Sequence, residues 1–210
     1  MSKVFMISDL HIGHSNVIEF EDYYRSKAMG VSTIHEHDEK ICDLWNDKVH
    51  KRDLVFVLGD LGFNIDILKT LPGRKKLHLG NHDKCKAARY LEIFEDIIGP
   101  VHYKGHWISH FPIHESEIWG RKVIHGHTHS KGINDSRYVN VSVEMTGGAP
   151  IPFEDIKEGK FYTWDKVNFP FGDNSMLADK NPNLSENESI KYAEFNGLDS
   201  ANIENNIKNK

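Results

Sequence analysis

Apolar residues fall in two rhythms along the chain. Short continuous runs at 4–7, 54–58 and near 76–79 have the length and β-branched content of buried strands. Between the first two, Thr33 and Glu36 are spaced as a capping box, and Ile34, Ile41, Leu44 and Trp45 follow at helical spacing, which predicts a helix over 34–49. A short helix over 65–71 is expected behind Asn64, and Pro72-Gly73 turns the chain into the third strand. A further helix is predicted over 84–94. Beyond Gly99-Pro100 the rhythm changes to short strands at 101–103, 107–109, 123–125 and 138–143. Alternating strands and helices followed by strands alone predict an α/β fold, a layered sandwich in which helices flank a central sheet and a second sheet is added to it.

The last fifty residues differ. After Trp164 the chain is rich in Asn, Ser and Asp and poor in apolar residues, so residues 1–159 are assigned to one catalytic-sized domain and 160–210 to a polar extension. Ile190, Tyr192, Ala193 and Phe195 are its candidates for docking on the core. With 39% hydrophobic and 27% charged residues the composition suits a single compact core rather than a disordered or fibrous chain. No stretch approaches the roughly 18 to 20 apolar residues of a membrane span, and no signal-peptide pattern opens the chain, so a cytoplasmic protein without a membrane partner is expected. Cys42 and Cys85 lack the spacing of a disulfide scaffold or a structural zinc site. A net charge of −5 disfavours tight nucleic-acid binding.

Histidine changes the picture: there are 14, and seven lie within residues 102–129, which points to metal or proton chemistry. Five polar clusters each follow an apolar run: Asp9-Leu10-His11, Gly59-Asp60, Gly80-Asn81-His82-Asp83, Ser109-His110 and Gly126-His127-Thr128-His129. Residues at i and i+2 just past a strand can turn the same way, so Asp9 with His11 and His127 with His129 can each present two ligands. Gly59, Gly80 and Gly126 stand where a side chain would block a tight turn or an incoming phosphate. Carboxylate, amide oxygen and imidazole without thiolate suit Mn, Fe, Ni or catalytic Zn.

In order and form these clusters resemble the motifs of the calcineurin-like metallophosphoesterase superfamily over about residues 4–129. Residues 7–16 and the stretch Tyr138-Val139-Asn140-Val141-Ser142-Val143-Glu144 are similar to its small bacterial and phage phosphoesterases. Leu10 replaces a threonine common in those relatives and removes no ligand. The resemblance implies the superfamily's layered sandwich and two divalent ions, Mn foremost. Asp9, His11, Asp60 and His129 would hold the first ion, and Asp60, Asn81, His110 and His127 the second. It further implies hydrolysis of a small phosphate ester, a diester or nucleotide ahead of a monoester, by a hydroxide bridging the ions, with His82 as general acid and Asp83 orienting it. His14, Asn81 and Arg25 are the candidate substrate contacts. A nuclease or a binding module that has lost turnover are the alternatives.

The remaining candidates receive structural readings. His35 and His37 flank Glu36 on a solvated helix face, in a spacing unlike that of zinc peptidases. His78 is structural and His125 supports the site from behind, while His106 and His114 are placed near the cleft or in loops. Trp45, Trp107, Trp119 and Trp164 are read as packing residues.

Overall fold

A computed structural model describes residues 2–133 and 135–160 of the chain. Its strands are β1 (Val4–Ile7), β2 (Leu54–Val57), β3 (Arg74–His78), β4 (Asp96–Ile98), β5 (Val101–Tyr103), β6 (His106–Ile108), β7 (Lys122–His125), β8 (Tyr138–Asn140) and β9 (Ile151–Pro152). The helices are α1 (Asn16–Phe20), α2 (Ile34–Lys48), α3 (Ala87–Tyr90), α4 (Glu115–Ile118), α5 (Val143–Thr146) and α6 (Phe153–Lys157), with a π-helical turn at Asp22–Lys27 and a 3-10 turn at Ile65–Lys69. One mixed sheet has the order β4-β3-β2-β1-β9 and the other β5-β6-β7-β8. β1 to β4 are parallel, as are β6, β7 and β8; only β9 and β5 run against their neighbours.

Period-two alternation sorts the side chains of β1 and β2. Phe5, Ile7, Val55 and Val57 join Ile41 and Trp45 of α2 in one apolar cluster, while Met6, Phe56 and Leu58 join Ile108, Ile124 and Val139 of the other sheet in a second. A third cluster sets Ile118 of α4 against Val123 and Tyr138. The first sheet is therefore covered on one face by α2 and on the other by the second sheet. The Thr33–Glu36 capping box is formed, and the Trp45 indole donates to the Pro72 carbonyl at 2.9 Å, fixing α2 over the 3-10 turn. Among the described residues no helix is long and apolar enough to cross a membrane.

Several expectations are corrected. The helix predicted over 84–94 is reduced to the single turn of α3: Lys86 is extended, at φ −64° and ψ 144°, so no helical turn forms before Ala87, and the Cys85 amide donates to the Tyr90 hydroxyl. The strand predicted over 138–143 stops at Asn140, whose side-chain oxygen takes the Ser142 amide and starts the turn into α5. His35 is exposed as expected, but His37 is buried, accepting from Arg25 and donating to Asp38. Trp45 is core, whereas Trp119 is 78% exposed at the end of α4. Trp164 and the assigned extension beyond Lys160, with Ile190, Tyr192, Ala193 and Phe195, lie outside the described residues.

His78 on β3 and His125 on β7 are both buried, and burial lowers each ring to about 4. The unfolded chain therefore binds these protons first, so stability is whole above about pH 6.5 and is lost as the pH falls toward 4. Denaturant midpoints measured across that range should drop steeply, and replacing His78 with Phe, if the fold is retained, should flatten the drop.

Candidate metal centre

The parallel strands of both sheets end at one edge of the molecule, and every cluster singled out in the sequence lies there. β1 leads into Asp9 and His11, β2 into Asp60, β3 into Asn81, His82 and Asp83, β6 into His110, and β7 into His127 and His129. Pairing continues past the strands: the Asp9 amide donates to the Gly59 carbonyl at 3.0 Å, His11 to Asp60 at 3.0 Å and Ile12 to Leu61 at 2.9 Å. The second sheet is tied in by the Ser8 amide on Val141 at 2.9 Å, and the β6 and β7 loops by Gly126 on His110 at 3.0 Å.

Two groups of side chains converge and share one member. Asp9, His11, Asp60 and His129 place a donor atom each within 4.8 Å of one another, and Asp60, His110 and His127 do the same. Asp60 Oδ2 stands 3.9 Å from His11 Nε2 and 3.7 Å from His110 Nε2, between the two groups. The Asn81 amide oxygen completes the second, 3.2 Å from His110 Nε2 and 3.0 Å from His127 Nδ1. All seven expected ligands come together, grouped as the resemblance implied. His127 and His129 divide between the two groups.

The backbone is bent to achieve this. Asp9, His11, Asp60, His127 and His129 all have left-handed φ, between 48° and 68°. Such a conformation costs an L-residue about 1–2 kcal/mol, and glycine would relieve it, so the side chains themselves are what these positions retain. Glycine is found instead where the carboxylates need room. A Cβ at Gly80 would strike the Asp60 carboxylate, and one at Gly126 would strike the Asp9 carboxylate and Ser8. The space they leave is filled by site carboxylates, not by an incoming phosphate.

Hydrogen-bond partners behind the ligands aim them. His110 Nδ1 donates to the Leu58 carbonyl at 2.6 Å and His129 Nδ1 to Glu144 at 2.9 Å, which turns each Nε2 into the site. Asp9 Oδ2 accepts from the His127 amide and the Ser142 hydroxyl, both at 2.9 Å, and the Asn140 side chain donates to the His129 carbonyl at 2.7 Å. Asn140, Ser142 and Glu144 were not foreseen as contributors. Their signal was the stretch from Tyr138 to Glu144, whose alternate polar residues all reach the ligands.

Two expected roles are overturned. Arg25 contacts no open cleft; it is fully buried, with Nε 2.6 Å from Glu144, Nη1 donating to the Leu10 carbonyl at 3.0 Å and Nη2 to the Asp9 carbonyl. A side chain spent on these acceptors holds the first ligand loop rather than a phosphate. Asp83 does not orient His82. Its carboxylate accepts the amides of Asp60, Leu61 and Gly80 at 2.8–3.0 Å and so clamps two ligand loops together.

His82 is exposed, its amide donating to Asp60 Oδ1 at 2.9 Å and its ring edge-on to His11 at 5.7 Å. His14 lies beside His11 at 5.7 Å. His125 is buried behind the site with Nδ1 on the Gly126 carbonyl, as a support. His106 packs on Phe153, and His114 caps α4.

The electrostatics fit a cation. Asp9, Asp60 and Glu144 are buried together against the guanidinium of Arg25 and the ring of His129, three carboxylates to two cationic groups, an imbalance that a low-dielectric site relieves by taking up further positive charge. Asp9 Oδ1 and His11 Nε2 are buried with no hydrogen-bond partner, and both belong to the first group. Burial, reinforced by Arg25, keeps the His11 ring neutral with a pKa of about 2, ready to act as a lone-pair donor. Burial raises the Asp9 carboxyl. For His129, burial opposes the charged ring, but the Glu144 hydrogen bond and the Glu144 and Asp9 charges prevail and lift it to about 9.

A divalent ion must displace the His129 proton, so between about pH 6 and 9 affinity should rise close to tenfold per pH unit with one proton released. Calorimetric titration of Mn in buffers of different ionisation enthalpy measures both quantities. Arg25→Ala strips the buried Glu144 of its guanidinium, leaving it only His129, and frees the carbonyls of Asp9 and Leu10, and should cost about 3–5 kcal/mol of stability. Denaturant unfolding checks this; an unchanged midpoint would overturn the structural role of Arg25.

No family model matches the sequence. The Gene 66 protein of Mycobacterium phage D29 is 30% identical over 75% of this chain and 96% of its own length, and that of phage L5 is 30% identical over 70% and 89%. An uncharacterized protein of Methanocaldococcus jannaschii, MJ1445, is 26% identical over 73% of this chain. The crystal structure of a protein of unknown function from Aquifex aeolicus, AQ665, superposes with a TM-score of 0.59 at 27% identity, covering 75% of this chain and 99% of that one. Shared identity along nearly the whole length of the phage proteins makes this chain a member of the mycobacteriophage Gene 66 protein family.

Proposed function

We propose that the chain is a two-metal phosphoesterase of the calcineurin-like type, with the layered sandwich of that superfamily, acting on a small phosphodiester or nucleotide. The observation that carries the reading is the pair of ligand groups sharing the Asp60 carboxylate. Asp9, His11, Asp60 and His129 would hold one ion, and Asp60, Asn81, His110 and His127 the other. Divalent ions there, Mn foremost, would supply the Lewis acidity that activates a water and neutralises charge developing on the phosphoryl oxygens.

The protein's own part is positioning. Asp60 has Oδ2 between the two groups while Oδ1 takes the His82 amide, so the residue that would act as general acid is anchored to the carboxylate that the two groups share. The exposed His82 imidazole stands at the open side of the first group, where it would deliver a proton to the departing ester oxygen. Asp83 keeps the loops carrying Asp60 and Asn81 in register. Arg25 and Glu144 hold the Asp9 loop and His129 from behind. The Asn81 side chain, exposed beside two histidines, is positioned to meet substrate oxygen as well as metal.

Metal-stripped protein should hydrolyse bis-p-nitrophenyl phosphate only after Mn, Fe, Ni or Zn is restored. Asp60→Asn should abolish turnover, and His82→Ala should lower kcat by about 10²–10⁴ with metal still bound. The ratio to p-nitrophenyl phosphate distinguishes diesterase from monoesterase. Protein that binds two ions yet turns over neither ester would favour a binding module.

A further inference from the structure

We infer that the rim of this site is a stacking platform built from Phe63 and Phe111, and that the substrate is therefore a nucleotide ester whose base lies against it. The inference rests on the phosphoesterase reading above and narrows its substrate class. Phe63 is 76% exposed and Phe111 45% exposed, although burying such a ring is worth about 1.5–3 kcal/mol. Both stand on the histidines of the site. Phe63 lies nearly parallel on His14 at 5.0 Å and 24°, and His14 in turn meets His11. Phe111 lies 4.6 Å from His127 and 4.7 Å from His110. Phe20 and Trp119 are also exposed, but neither has a ring contact with these histidines.

Neither ring rides on a loose loop. Gly62, at φ +104°, bridges to Ile12, and the Phe63 amide donates to the Ile12 carbonyl at 2.7 Å, so this platform is pinned to the loop that carries His11. Phe111 follows His110 directly, and the His110 carbonyl is held by the Gly126 amide. The rings are thus exposed and preorganised, which lowers the entropic cost of stacking on them. Phe111 lies directly on two ligand rings, whereas Phe63 meets the ligand His11 through His14, so a ligand with a sugar between phosphate and base would reach the farther ring as well as the nearer. The acidic net charge, −5, favours a short nucleotide over a long polyanion.

Calorimetric binding of adenosine 5′-monophosphate, ribose 5-phosphate, phenyl phosphate and inorganic phosphate to the Mn-loaded full chain tests the inference. Adenosine 5′-monophosphate should bind at least tenfold tighter than ribose 5-phosphate and than phenyl phosphate. Phe63→Ala combined with Phe111→Ala should bring the ratio of adenosine 5′-monophosphate to ribose 5-phosphate affinity near one, and the single variants should each lower it part of the way. Replacing either residue with Trp should restore the ratio. Equal affinities for the nucleotide and the sugar phosphate, or a ratio unchanged in the double variant, would overturn the platform. Phenyl phosphate bound as tightly as the nucleotide would overturn the assignment to a nucleobase. If inorganic phosphate itself fails to bind to protein carrying metal, the phosphoesterase reading fails, and the platform with it; phosphate binding without base selectivity removes the platform alone.

Discussion

A guanidinium with no exposed surface holds the first ligand loop in place. Arg25 donates to the carbonyls of Asp9 and Leu10, which face inward because Asp9 and His11 on either side of Leu10 are left-handed. Its remaining charge is matched by Glu144, and Glu144 accepts from His129 of the same ligand group. On its other side Arg25 reaches His37, then Asp38, whose second oxygen takes the Gly13 amide at 2.9 Å. The chain of bonds runs from a ligand at the end of β7 to the first turns of α2. A buried ion pair of this kind is poor evidence for stability in itself, since its desolvation offsets much of its attraction. Its use here is to fix geometry that the backbone resists.

That resistance is substantial. Five non-glycine residues in the left-handed region, at about 1–2 kcal/mol each, cost an amount comparable to the whole stability of an ordinary domain, about 5–15 kcal/mol. Hydrogen bonds at Asp9 Oδ2, Asp60 Oδ1 and His129 Nδ1 offset part of this, but Asp9 Oδ1 and His11 Nε2 gain nothing from the arrangement unless something binds to them. Strain, orphaned acceptors and excess negative charge are three independent costs, and divalent cations would offset all of them at once.

Much of the scaffold was legible in the chain because it follows from local rules. The capping box of Thr33 and Glu36, the buried strands and the position of every ligand cluster at a strand end follow from spacing and apolar periodicity. The sharing of Asp60 between two groups followed from resemblance, not from periodicity. The segment 84–94 misled because its helical pattern is interrupted by the extended backbone of Lys86, which no periodicity reveals. Trp119 misled because its left-handed backbone at the end of α4 turns a large ring outward.

The sequence alone determined which residue types can bind a hard or borderline cation, in what order they occur and which glycines leave room for them, since these depend on chemistry and on near neighbours. Tertiary structure alone decided the tasks of Arg25, Asp83, His37 and Glu144. Arg25 and Glu144 are 119 positions apart, and Asp83 lies 23 from the Asp60 amide that it accepts. An arginine reads the same whether it faces a phosphate or a carbonyl; only the closure of the parallel strands of both sheets on one edge, bringing distant loops into contact, sets which of these it meets.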